Sequence, residues 1–68
     1  MYHYYVNDNA QSNGDHEVHR NTCYYFPQIV DKTYLGYFMN AVPAVQEAKK
    51  YHVQSNGCAY CSPEAHTS

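Results

Sequence analysis

Asn56-Gly57-Cys58-Ala59-Tyr60-Cys61, set against His16-Glu17-Val18-His19-Arg20-Asn21-Thr22-Cys23 nearer the N-terminus, is the pairing that decides how this chain folds. Two residues separate Cys58 from Cys61, a spacing that lets both sulfurs reach one metal ion from a tight turn. Three residues separate His19 from Cys23, and a strand end followed by a turn can bring that pair together as well. The 34 residues between Cys23 and Cys58 are too many for a finger-type loop. They suffice for a strand and a helix that return the chain to its starting edge. His19, Cys23, Cys58 and Cys61 are therefore the candidate ligands of one structural Zn2+, tying an N-terminal hairpin to the C-terminal segment.

Working outward, the size of the chain calls for such a staple. At 68 residues it is read as a single small zinc-stapled domain, with residues 63–68 as a flexible tail. A core this small is marginal without disulfides, a metal or a partner. The apolar fraction of 44% includes 9 tyrosines, whose hydroxyls want a polar partner, so aliphatic packing alone is thin. Three cysteines is an odd number for a disulfide framework. Structural zinc in small peptides contributes about 10–16 kcal/mol at neutral pH.

The elements follow from local pattern. Residues 2–6 are β-prone, residues 7–15 are polar and end in the turn signal Asn13-Gly14, and residues 16–20 read as the returning strand. Alternation along that strand places Glu17 and His19 on one face, His16 and Val18 on the other. Residues 34–39 form the best strand, in which Gly36 marks a bulge or a close backbone approach. Asn40 caps a helix over about residues 42–52, with Pro43 tolerated in its first turn. Ala44, Val45 and Ala48 recur on its apolar face. Asn56-Gly57 reads as a turn. The expected fold is α+β: a small antiparallel β-sheet, hairpin plus third strand, with one helix and a C-terminal Cys-x2-Cys zinc knuckle.

The residues leave alternatives open. Cys58 and Cys61 could form a redox dithiol, although such motifs open a helix after a strand, and here Pro63 follows closely. The cysteines could simply be buried. His66, close to Cys58 and Cys61 in sequence, competes with His19 as the fourth ligand, and His16 or His52 could substitute. Enzyme motifs do not fit. A zincin needs His-Glu-x-x-His, and His16-Glu17-Val18-His19 is one residue short. A zinc deaminase needs His-x-Glu and Pro-Cys-x-x-Cys, whereas Glu17 directly follows His16 and Gly57 precedes Cys58. A closed four-ligand site also leaves no position for a catalytic water.

The run Val18-His19-Arg20-Asn21-Thr22-Cys23, the strand at residues 34–38, the Ala/Val-rich helix and Gly57-Cys58-Ala59-Tyr60-Cys61 together resemble the metal-binding domain of the Ada alkylation-repair protein. They also resemble small zinc modules appended to some secreted bacterial nucleases. The resemblance covers about residues 14–61 and implies a zinc-stapled fold. A further similarity, over residues 10–19, is to a group of short bacterial proteins. The Ada-type domain uses four cysteines, one of which accepts a methyl group from a DNA phosphotriester. Position 19 here is histidine, so the resemblance implies the fold without methyl transfer.

Charge narrows the function further. The formal charge is −2, with only Arg20, Lys32, Lys49 and Lys50 basic. Three thiolates and one Zn2+ make it one unit more negative, and no basic stripe is present to neutralise phosphates. The expectation is a non-catalytic interaction module, monomeric or homodimeric, whose partner is a protein rather than a nucleic acid. The alternatives are a zinc-thiolate sensor or acceptor of alkylating or oxidising agents, and a nucleic-acid accessory module. No apolar run is long enough to span a bilayer and no secretory signal pattern opens the chain, so no membrane association and a cytoplasmic location are expected.

Overall fold

The computed structural model describes residues 1–67. Four strands, β1 (Tyr2–Asn7), β2 (His16–Arg20), β3 (Lys32–Phe38) and β4 (Ser55–Gly57), form one sheet in the order β3-β1-β2-β4. One helix, α1 (Ala41–Ala48), joins β3 to the segment leading into β4. The fold is thus α+β, with a mixed sheet.

β1 sits inside the sheet because its aromatic and branched residues can be covered on both edges. It pairs antiparallel with β2, Tyr5 opposite His19 and Val6 opposite Val18. On its other side it pairs antiparallel with β3, from Tyr2 opposite Phe38 to Asn7 opposite Lys32. The register slips at Tyr4–Tyr5: Tyr4 faces Gly36 and Tyr5 faces Tyr34, so Leu35 is the extra residue of a bulge. Gly36 makes it possible with φ +140°, a conformation L side chains rarely adopt. The bulge also corrects the face pattern. Leu35 and Phe38 are an odd number of residues apart and would point to opposite faces of a regular strand, yet both pack into the same core.

That core lies between one sheet face and the helix. Tyr4, Val6, Val18 and Leu35 from the strands meet Ala41, Ala44, Val45 and Ala48 from α1. The three alanines let the helix approach the sheet closely around the Tyr4 ring, which is 1% exposed. Asn40 caps the helix as its sequence suggests, its Oδ1 accepting from the Val42 N–H at 2.9 Å. A second cap comes from far along the chain: Glu64 Oε2 accepts from the Ala41 N–H at 2.9 Å. The helix ends at Ala48 and breaks into turns, so residues 49–52 leave the helical span expected from periodicity.

β4 departs from the expected hairpin-plus-one-strand sheet. Asn56-Gly57, read as a turn, lies instead in a short strand parallel to β2, with Asn56 opposite Glu17 and Gly57 opposite Val18. Gly57 is required by close approach. A Cβ there would stand 2.7 Å from the Ser62 carbonyl oxygen and 2.9 Å from the Ala65 carbonyl carbon. Residues 63–67, read as a loose tail, make specific bonds. Pro63–Ala65 form a 3-10 turn, and Thr67 and Asn56 exchange hydrogen bonds of 2.9 and 3.0 Å.

Candidate metal centre

Each half of the site is built by a strand end and a tight turn. β2 delivers His19, and past its end the Cys23 N–H bonds to the Arg20 carbonyl at 3.0 Å, turning Cys23 back towards the imidazole. β4 delivers Cys58, whose N–H bonds to the Val18 carbonyl at 3.0 Å and so extends the parallel ladder by one step. The Ser62 N–H then closes on the Cys58 carbonyl at 2.8 Å, which turns Cys61 inward. Because β2 and β4 are adjacent in the sheet, the two turns converge.

The result is a group of four donors, His19, Cys23, Cys58 and Cys61, whose ligand atoms all lie within 4.8 Å of one another. His19 Nδ1 stands 3.6 Å from Cys23 Sγ and 3.8 Å from Cys61 Sγ. A tetrahedral ion with Zn–S of about 2.3 Å and Zn–N of about 2.0 Å spaces its donors by about 3.5–3.8 Å, so these separations fit one metal ion. All four residues are buried, none more than 5% exposed. The three cysteines are free thiols rather than a disulfide and an orphan.

The electrostatics suit a metal. Burial lowers the His19 pKa, which favours the neutral imidazole, the form that can ligate a metal. Burial likewise pushes the Cys58 and Cys61 thiols up, because desolvation disfavours a thiolate. For Cys58 the backbone N–H groups of Cys61 and Tyr60 oppose that rise, the Tyr60 N–H lying 3.4 Å from Sγ. A cation held by these sulfurs would favour their thiolate form.

The outer imidazole nitrogen has a partner too. His19 Nε2 lies 3.5 Å from Glu17 Oε1, on the same strand face. Glu17 is half-buried, and desolvation raises its pKa, a hydrogen bond from Gln11 working against the rise. A carboxylate on the far nitrogen of a ligating histidine fixes its tautomer and increases its basicity. Glu17 was not singled out from sequence as a functional residue; its signal was the alternation that already placed it beside His19.

The other histidines lie elsewhere. His66 is outside the cluster and its Nδ1 donates to the Gly57 carbonyl at 2.8 Å. His16 stacks on His52 with ring centroids 3.8 Å apart, and His52 reaches Asp8 at 2.8 Å. His3 bonds the Tyr34 hydroxyl. Three tyrosines gather close to the centre: Tyr25 and Tyr60 have centroids 5.4 Å apart, and Tyr24 contacts both.

No family model, curated protein or solved structure matches this chain. No described helix is long and apolar enough to cross a membrane.

Proposed function

We propose that His19, Cys23, Cys58 and Cys61 bind one Zn2+ as a structural ion, and that the chain is a non-catalytic interaction module. The observation that carries this reading is the set of four buried N and S donors whose ligand atoms lie within 4.8 Å of one another, with His19 Nδ1 3.6 and 3.8 Å from two of the sulfurs. Four protein ligands fill a tetrahedron, leaving no position for a reactive water. The donor set favours zinc: mixed thiolate and imidazole ligands in that geometry are a zinc pattern, whereas Mg2+ and Ca2+ take oxygen donors. The Ada-type resemblance belongs to the same reading, with His19 standing where the methyl-accepting cysteine would be. Free thiols in a metal role suit a reducing compartment, hence the cytoplasm. Exposed Tyr24, Tyr25 and Tyr60 supply contact area for a protein partner, and the net negative charge argues against nucleic acid.

The test is metal analysis of protein purified without a histidine tag. One equivalent of zinc, with loss of structure on chelation, is the expected result. A folded, metal-free chain overturns the proposal.

One observation favours a second reading, a zinc-thiolate that responds to electrophiles: Cys58 lines an open cleft. Zinc release in step with a single adduct on Cys58 would support it. Full resistance of the folded protein to mild alkylation would sink it.

A further inference from the structure

Beside the metal centre lies a cleft of about 620 Å3, within the range of roughly 300–1,000 Å3 in which proteins hold small ligands. Buried His19 and Cys58 form its deep side, half-buried Glu17 adds a carboxylate, and Tyr25, Gln28 and Tyr60 line it nearer the surface. The Tyr25 and Tyr60 rings meet at 74°, forming an aromatic corner backed by Tyr24. Such rings offer electron-rich faces to a cation.

The charge around the cleft points the same way. No lysine or arginine lines it. Arg20 is stacked over Tyr2 at 4.5 Å, and Lys50 pairs with Glu47 at 3.0 Å. Lys32 does bond a lining residue, but it donates to the Ile29 carbonyl at 2.9 Å and sits over Phe26. On the zinc reading proposed above, three thiolates outweigh the ion and leave the deep side with a net negative charge. Glu17 and the tyrosines do not depend on that reading.

We propose that this cleft binds the guanidinium group of an arginine side chain presented by a protein partner. A guanidinium is planar and weakly hydrated. It can lie on a tyrosine face while directing its N–H fork at a carboxylate, which an ammonium cannot do. The Gln28 amide supplies a further acceptor. The exposed Tyr24 ring, 70% accessible, extends the contact surface beyond the cleft towards the rest of a polypeptide. The proposal deepens the interaction-module reading by naming what the partner presents.

The test is an amide chemical-shift titration of the protein with blocked arginine, its neutral isostere citrulline, blocked lysine, guanidinium ion and a Gly-Gly-Arg-Gly-Gly peptide. Metal content is measured on the same samples. Shifts should concentrate at Glu17, Gln28, Ala59 and Tyr60, with arginine bound roughly tenfold more tightly than citrulline. The peptide should bind at least as well as blocked arginine. Glu17→Gln should erase the preference over citrulline, and Tyr60→Leu, which keeps apolar bulk and removes the π-face, should reduce it several-fold. Equal binding of citrulline, absent shifts or shifts elsewhere overturn the cleft. Preference for lysine overturns the guanidinium, and a peptide weaker than guanidinium ion overturns the polypeptide source. Folded protein without metal overturns the zinc reading alone, and the same titration still decides the cleft.

Discussion

At the residue scale, His19 concentrates the most consequence. Its Nδ1 faces the sulfurs and its Nε2 faces Glu17, so one ring joins the donor set to a carboxylate. Replacing it should be far worse than replacing its rival in sequence. His19→Ala is expected to lose stoichiometric zinc, while His66→Ala keeps one equivalent and loses only the Gly57 carbonyl bond; metal analysis of the two purified variants checks this. Glu17→Gln should weaken zinc affinity by about 10–100-fold, as removal of such orienting partners does, read by competition with a chromogenic chelator. A third residue-scale prediction concerns Asp8. The hydrogen bond from His52, aided by those from Thr33, holds its carboxyl below the usual range. A lowered folded-state pKa stabilises the fold above the unfolded value and is lost as pH falls through the folded value. Asp8→Asn should therefore cost about 1 kcal/mol near neutral pH. That difference should persist to pH 5 and shrink only below about pH 4. Denaturant melts of both proteins between about pH 5 and pH 8, with zinc in excess, test it, since the difference should not change across that range.

At the element scale, two glycines hold the strands in the shapes the site needs. Gly36→Ala places a Cβ at φ +140° and 2.9 Å from the Phe38 ring. It should destabilise the β1–β3 bulge by about 1–3 kcal/mol while leaving zinc stoichiometry at one. Gly57→Ala meets backbone atoms at 2.7 and 2.9 Å, which cannot rotate away as a ring edge can. It pushes β4 off the turn that carries Cys58 and Cys61, so both stability and zinc affinity should fall. Comparing melting temperature with metal affinity for the two variants separates strain in the sheet from strain at the site. The elements themselves were legible to different degrees. β1, β2 and the helix start at Asn40 follow from propensity, alternation and capping chemistry, all local. The helix end did not, because Tyr51 and His52 continue the apolar period although the chain turns at Lys49 to bring His52 onto His16 and Asp8. β4 was missed because three residues, Ser55–Gly57, carry no strand signal of their own; they are a strand only because β2 offers an open edge.

At the scale of the whole molecule, the packing divides between two layers. One sheet face buries Tyr4, Val6, Val18 and Leu35 against α1, and a separate cluster gathers the three cysteines with Phe26. The first layer is too small to hold a domain of 68 residues with a wide margin, and the second has no aliphatic core of its own. Chelation should thus abolish cooperative unfolding. The metal is worth about 10–16 kcal/mol in comparable peptides, more than the roughly 5 kcal/mol by which such a domain is stable. Circular dichroism before and after a strong chelator, with recovery on adding zinc, is the measurement. Affinity should also fall as pH falls, because binding expels protons from thiols that burial holds protonated. Cys58 and Cys61 alone should contribute about two factors of ten per pH unit.

What the sequence determined by itself is the fold class and three cysteines as candidate ligands, with His19 ahead of His66 for the fourth place; the tertiary structure put His19 in the cluster and left His66 outside it. Cys-x2-Cys and His-x3-Cys are constrained by the short reach of a turn, and alternation in β2 put Glu17 beside His19 before any contact was known. What only the tertiary structure decided is how those pairs meet. The parallel pairing of β2 with β4 brings two turns together across 34 intervening residues, and the Tyr25–Tyr60 corner forms only once they have met. The reason is physical: local patterns record what neighbours along the chain can do. A sheet edge is filled by whichever distant segment satisfies its hydrogen bonds, and short residues such as Ser55, Asn56 and Gly57 show no preference until that edge exists.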